Sequence, residues 1–407
     1  MPKSSVKTEV KSSGSGVLRF AHPFYTTVPP AQRRAIPGVG KRMTDFVVQK
    51  LEPIPLPQRE PTMSLADIIG KKGVDEIVAA KSISFHATGD TGEPVGDTQQ
   101  LVADAMTLDY DTKHPAKSPA FFLHLGDVNY YNNTDKGYHE QFYVPYKTYP
   151  GKIIAIPGNH DGELFKFDGT SVGQKKTLEA FLKNFCRKKP GVPSGAGTIY
   201  REMVSQPGVY WYLDAPFVDI IGLYSNMAEN PGYISGASIG NKQKEWLTRT
   251  LTTIAKNRKK GPRKALVVAV HHPPISTSGH DSSTAMLADI DDSCNKAGVI
   301  YDAMLAAHAH NYQSYTRSKT FAGKKMQIPF FVAGGGGRVA QSVKPAGGTV
   351  GDATFDKSLR GYGYLTVNAT KDKLTIRFTQ VDTKNNGKKK TFDTVTVDLK
   401  TNKTKRS

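Results

Sequence analysis

Ala120-Phe121-Phe122-Leu123-His124-Leu125-Gly126-Asp127-Val128-Asn129-Tyr130 passes from an almost wholly apolar run into a polar block, with a glycine at the joint. The run has strand length and shows no alternation, which is the pattern of a strand buried on both faces of an α/β protein. Similar runs occupy residues 83–87, 153–156, 265–270, 303–307 and 329–333. Between them lie helical stretches at 97–108, 175–187 and 241–256, the last with Trp246, Leu247, Leu251 and Ile254 at helical spacing. Residues 208–225 read as a hairpin around Asp214-Ala215-Pro216. Residues 363–399 alternate apolar and polar side chains, which predicts three short strands.

Four further polar blocks follow the pattern of Gly126-Asp127-Val128-Asn129-Tyr130. They are Gly89-Asp90-Thr91-Gly92, Gly158-Asn159-His160-Asp161, Val268-Ala269-Val270-His271 and His308-Ala309-His310. In open α/β sheets ligands gather beyond the carboxyl ends of strands, so blocks in these positions can converge on one rim. The glycines before Asp90, Asp127 and Asn159 permit sharp exits and close backbone approach. Carboxylates, an amide, a phenol and imidazoles form a donor set suited to two hard or borderline metal ions. Any one block alone also fits a cap, a turn or a packed side chain. His308-Ala309-His310 reads as the continuation of an apolar strand with both rings on one side. His86 and His124, inside apolar runs, read as satisfied core histidines.

Composition narrows the choice. The chain has 407 residues, 38% of them hydrophobic, with no apolar run long enough to span a membrane. Cys186 and Cys294 are the only cysteines, which excludes a disulfide framework. The basic, Ser-rich start is followed by no apolar h-region, so a cytoplasmic location is expected, and the sequons at Asn132 and Asn368 carry no weight. The net charge of +19 is concentrated at the ends: residues 1–74 hold twelve Lys/Arg against five Asp/Glu, and residues 383–407 eight against two. Without an aromatic-interleaved basic motif this charge argues for solubility and against specific nucleic-acid binding. Residues 1–16 are expected to form a disordered basic tail and 17–78 a Pro-rich extended arm docked on the body. A catalytic domain would span 79–399, with a basic tail at 400–407. Gly334-Gly335-Gly336-Gly337, lacking a following Lys-Ser/Thr, is not a P-loop and reads as a flexible loop near the rim.

Taken together and in order, the five blocks resemble the signature of calcineurin-like metallophosphoesterases, specifically the purple-acid-phosphatase type: GDxG, GDxxY, GNH(D/E), VxxH and GHxH. The resemblance runs over roughly residues 80–370. Ala307 stands where the pattern usually has Gly. The family implies a four-layer α-β-β-α sandwich, here with a C-terminal β-rich segment. It further implies that Asp90, Asp127, Tyr130 and His310 bind a first metal, with Asp127 bridging to a second held also by Asn159, His271 and His308. Many members carry a metal-binding His where this chain has Gly92, so Tyr130 is expected to complete the first site. That points to Fe(III) there, with Fe(II), Zn or Mn at the second. His160 is assigned to the transition state and leaving group, with Asp161 orienting its ring. His272 and His280 are further candidates for substrate contact.

In such centres two ions clamp the ester oxygens and a metal-held hydroxide attacks phosphorus in line. The implied function is hydrolysis of a small-molecule phosphate ester, a monoester first and a diester second. The loops at 162–207 and 226–240 would decide between them. From another class, a metal-binding scaffold without turnover is the alternative.

Overall fold

The computed structural model describes residues 51–407 except 94, 95, 112 and 167. The chain first forms β1 (Thr62–Ser64), α1 (Leu65–Ala80), β2 (Ser82–Thr88), α2 (Thr98–Thr107) and β3 (Phe121–His124). There follow α3 (Asp135–Tyr138), β4 (Lys152–Ala155), α4 (Asn159–Gly162), α5 (Glu179–Phe185), β5 (Trp211–Ala215) and β6 (Val218–Gly222). Next come α6 (Lys242–Lys260), β7 (Ala265–Ala269), α7 (Thr284–Ala297), β8 (Ala303–Ala306), β9 (Tyr312–Phe321) and β10 (Lys324–Ala333). The last part is all strand: β11 (Thr349–Val350), β12 (Ala353–Leu359), β13 (Tyr362–Thr370), β14 (Lys373–Asp382), β15 (Lys388–Asp398) and β16 (Lys403–Arg406).

Two sheets result, ordered β1-β5-β6-β7-β8-β10-β9-β12-β11 and β16-β15-β14-β13-β2-β3-β4. Each has a parallel heart, β6-β7-β8-β10 in one and β2-β3-β4 in the other. Alternation across each strand explains the continuous apolarity. In β7, Ala265, Val267 and Ala269 enter the core between the sheets, where they join Phe85, Leu123 and Ile154. Leu266, Val268 and the following Val270 face the outer layer of Trp246, Leu247 and Leu251 from α6 and Met286 and Ile290 from α7. On the other sheet, α2 packs over β13 and β14. The architecture is thus the expected four-layer α-β-β-α sandwich with a β-rich C-terminal part.

Several local expectations change. The segment read as an extended arm does run along the body at first, with Ile54 N–H donating to Ile239 O and Gln58 N–H to Pro207 O. From residue 62 to its end at 78 it instead forms β1, parallel to β5, and most of α1, whose Leu65, Ile68, Ile69 and Ile77 join the inter-sheet core. The prolines stop at Pro61. Ser64 then begins a capping box, its N–H donating to Asp67 Oδ2 at 2.7 Å. The basic tail at 400–407 likewise forms a strand. β16 pairs with β15, and Arg406 reaches Asp393 and, at 2.7 Å, Asp356. The helix expected at 175–187 shortens to α5, because Leu178 adopts a left-handed conformation (φ 62°). α7 has a polar composition that keeps it out of the helical stretches read from sequence, although Met286, Ile290 and Cys294 mark its buried stripe. The expected disordered tail and the first part of the arm lie outside the described residues. Among the described residues no helix is long and apolar enough to cross a membrane.

Candidate metal centre

Both parallel hearts end at one rim, and every motif residue lies at the carboxyl end of a strand there. Asp90 follows β2, Asp127 follows β3, Asn159 and His160 open α4 after β4, His271 follows β7, and His308 and His310 follow β8. The exits are tight. Asp90, Asp127 and His308 all hold positive φ (54°, 55° and 68°), a cost that non-glycine residues carry where surrounding structure fixes a functional geometry. The turn at His308 also corrects the strand reading of His308-Ala309-His310. β8 stops at Ala306, and the two rings reach different clusters.

Those clusters share a residue. Ligand atoms of Asp127, His271 and His308 lie within 4.8 Å of one another, as do those of Asp90, Asp127 and His310. Asp127 Oδ1 accepts the His160 N–H at 3.0 Å. Its Oδ2, buried and 3.4 Å from His271 Nε2, has no hydrogen-bond partner. Tyr130 joins the first cluster, its hydroxyl 3.1 Å from both Asp90 Oδ1 and His310 Nε2. Asn159 joins the second, with Oδ1 3.1 Å from His271 Nε2.

Each imidazole of the clusters is oriented by a backbone carbonyl on its far side. His271 Nδ1 lies 2.9 Å from Leu125 O, His308 Nε2 2.7 Å from Glu229 O and His310 Nδ1 3.2 Å from Val339 O. Donating to a carbonyl fixes the tautomer and leaves the other nitrogen with its lone pair toward the clusters, as metal-binding histidines require. His272 differs. It is fully buried, with Nδ1 2.7 Å from Ser225 Oγ and Nε2 2.8 Å from Ala228 O, so neither nitrogen is free for substrate. His280 does reach the site, its ring centroid 3.9 Å from that of His308. His86 and His124 are core residues as read, partnered by Tyr149 and Asp109 and by Thr91 respectively.

Crowding of carboxylates and imidazoles perturbs them all. Burial, with the charge of Asp127 added, raises Asp90 to about 8. Burial would raise Asp127 too, but the charges of His271 and His160 hold it well below the usual carboxylate range. Burial would lower His271, which Asp127 nonetheless lifts to about 9. Burial and neighbouring imidazoles hold His308 well below the ordinary value, and burial and His280 do the same to His310. Burial and the two carboxylates push the Tyr130 phenol well up. Bound cations invert this logic, since they favour the ionised carboxylate, the phenolate and the neutral imidazole together.

Two glycine positions serve close approach. A Cβ at Gly92 would lie 2.9 Å from Tyr130 Cδ2, so the Tyr130 ring fills the space that a side chain at 92 would need. A Cβ at Gly334 would lie 2.3 Å from Asp90 Oδ2, and Gly336 N–H donates to Gly89 O at 3.0 Å. The four-glycine run is therefore a buried crossing packed on the first cluster, not a flexible loop.

Three residues of the site escape sequence reading. Glu163, at 2.8 Å, is the carboxylate beside His160 Nδ1. Asp161, expected in that role, accepts instead from the Gly158 and Val128 N–H groups. Adjacent residues on a helical turn do not face each other, whereas i and i+3 do. Glu229 Oε2 accepts from Asn159 Nδ2 at 3.2 Å, which turns the amide oxygen toward His271. Arg338 lies over the Tyr130 ring, 4.5 Å from its centroid, and pairs with Glu93 at 3.5 Å. The i+3 spacing of Glu163 was a usable signal. Glu229 and Arg338 come from loops whose path the sequence does not reveal.

The sequence matches the calcineurin-like phosphoesterase family over residues 83–312, more than half of the chain, and the protein belongs to that family. It is a phosphoesterase hydrolase whose fold implies metal ions at this rim. No curated protein matches the chain significantly by sequence. Among solved structures the fold is similar to GAP50, described as the anchor in the inner membrane complex of Plasmodium. That likeness has a TM-score of 0.51 at 12% identity, over 75% of this chain and 86% of that one. PhoD gives 0.48 at 12% identity over 87% of this chain and 73% of its own. A predicted phosphoesterase of Streptococcus pneumoniae gives 0.27 at 11% identity, over 76% and 97%.

Proposed function

We propose that the protein is an acid-phosphatase-like phosphomonoesterase with a dinuclear centre. Asp90, Asp127, Tyr130 and His310 hold one ion, and Asp127, Asn159, His271 and His308 the other. The observation that carries this reading is Asp127, which belongs to both clusters and has a buried Oδ2 without a hydrogen-bond partner. Two cations held there supply Lewis acidity at phosphorus and an activated water. The chain's own residues do the rest. The three backbone carbonyls and Glu229 keep the ligand atoms aimed inward. His160, with Nε2 4.0 Å from Asp127 Oδ2, stands at the edge of the clusters and delivers a proton to the leaving oxygen. His280 packs over His308, with Nδ1 2.9 Å from Asn230 Nδ2 and Nε2 3.2 Å from Gln341 Nε2, and is a candidate for substrate contact.

Tyr130 and Gly92 favour the purple type. A phenol in place of an imidazole suits Fe(III), with Fe(II), Zn or Mn at the second position. Arg338, stacked on Tyr130 and paired with Glu93, lies beside the first cluster, and a monoester is the substrate we favour. Turnover of a monoester and a diester of the same chromogenic phenol tests this. Faster monoester hydrolysis is expected, and a clear preference for the diester would overturn the assignment.

A further inference from the structure

His160 is held more closely than a residue that merely lines a pocket. Its ring packs against both Tyr130 and Tyr131, with centroids 4.4 and 5.0 Å away. Its two nitrogens face opposite ways, Nδ1 toward Glu163 Oε1 at 2.8 Å and Nε2 toward Asp127 at 4.0 Å. Glu163 is only 4% exposed, and its backbone is pinned by Gln174 Nε2, which donates to Glu163 O at 2.6 Å and to Asp161 O at 2.9 Å. Nδ1 makes no aligned hydrogen bond as the ring stands, so it is the 2.8 Å approach of a buried carboxyl that ties this nitrogen to Glu163 and leaves the other on the Asp127 side.

We propose that Glu163 is a positioning residue for ester cleavage. It fixes the His160 ring with Nδ1–H on its own carboxylate, so that Nε2–H is delivered to the leaving oxygen. The inference rests on the phosphoesterase reading above. In the step, the bond between phosphorus and the leaving oxygen breaks and its electron pair stays on that oxygen. The His160 Nε2 proton moves to the oxygen, and water supplies the new bond to phosphorus. The proton released by that water passes to solvent, which restores His160. Ligand atoms of Glu163, His160 and Glu229 also lie within 4.8 Å of one another, so a cation held there is the rival account.

The test compares an activated ester, 4-nitrophenyl phosphate, with an alkyl ester, benzyl phosphate. A good leaving group needs no proton, and a poor one does. For Glu163→Gln, kcat/KM on benzyl phosphate should fall about 10- to 100-fold, the range of outer-shell and acid–base effects. The loss on 4-nitrophenyl phosphate should be at least about ten times smaller. On a His160→Asn background the same change should cost less than about twofold, because two residues acting as one unit are not additive. Equal losses on both esters, or an undiminished loss on the His160→Asn background, would overturn the proposal. So would a lower metal content in Glu163→Gln, which would assign Glu163 to a cation instead. If the parent protein hydrolyses neither ester, the function reading has failed. The ring geometry is then decided by ¹⁵N spectra of the zinc-loaded, histidine-labelled chain. There Nδ1 of His160 should be protonated in the parent and altered by Glu163→Gln, and an unaltered signal would also overturn the proposal.

Discussion

Asp127→Asn is the sharpest probe of the shared site. The His160 N–H must keep an acceptor at the Oδ1 position, 3.0 Å away, so the amide oxygen stays there. The NH₂ then takes the place of Oδ2, which has no hydrogen-bond partner, on the residue common to both clusters. It offers no lone pair that a cation held there could use. Losing an outer-shell partner already costs 10- to 100-fold in metal affinity, so a lost ligand should cost at least about 100-fold, or about 2.7 kcal/mol, per ion. At free metal about ten times the parent dissociation constant, mass action gives about 1.8 ions per chain for the parent. Asp90→Asn and His271→Asn each weaken one site and should retain about 1.0 ion, whereas Asp127→Asn should retain about 0.2. Equilibrium dialysis with elemental analysis reads these values. If Asp127→Asn keeps one ion or more, or Asp90→Asn falls as low, the bridge is refuted.

Further outcomes follow from the same geometry. Tyr130→Phe removes only the hydroxyl beside Asp90 and His310, and should abolish the visible charge-transfer band of the iron-loaded protein while leaving its far-ultraviolet dichroism unchanged. Retained colour would show that Tyr130 is not a ligand. In the metal-free protein Asp90 is raised to about 8 and His271 to about 9. Both bind more protons folded than unfolded, so the stability each contributes is full below its unfolded pKa and is lost as pH rises through the folded one. The melting temperature of the chelated protein should fall from pH 7 to 9 and metal should suppress the fall; a flat profile in chelator would contradict the crowding described. Arg406→Met leaves the buried Asp393 with Tyr312 at 2.7 Å, Ser314 at 3.1 Å and Lys357 at 3.7 Å, but without its guanidinium. Breaking a buried pair costs about 3–5 kcal/mol, and those remaining partners and partial exposure of Arg406 reduce this to about 2 kcal/mol. A urea-unfolding change below about 0.5 kcal/mol would show that β16 is a passive tail.

The apolar runs and the five blocks were legible in sequence because each depends on neighbours in the chain. Strand length and continuous apolarity follow from burial on both faces. A glycine followed by a ligand residue marks a strand exit. The order of blocks, and the exchange of an imidazole at Gly92 for the phenol of Tyr130, belong to the same local class. What the sequence could not supply was direction across the fold. Whether a histidine serves the site or the core depends on which carbonyl lies behind its ring. Leu125, Glu229 and Val339 commit His271, His308 and His310 to the rim, whereas Ser225 and Ala228 bury His272. The carboxylate beside His160 was likewise chosen by the turn of α4, which carries Asp161 to the backbone and brings Glu163 to the ring. Ligand types are a property of the chain, but their lone-pair directions and hydrogen-bond partners are set by strands and loops far apart in sequence, and only packing brings those together.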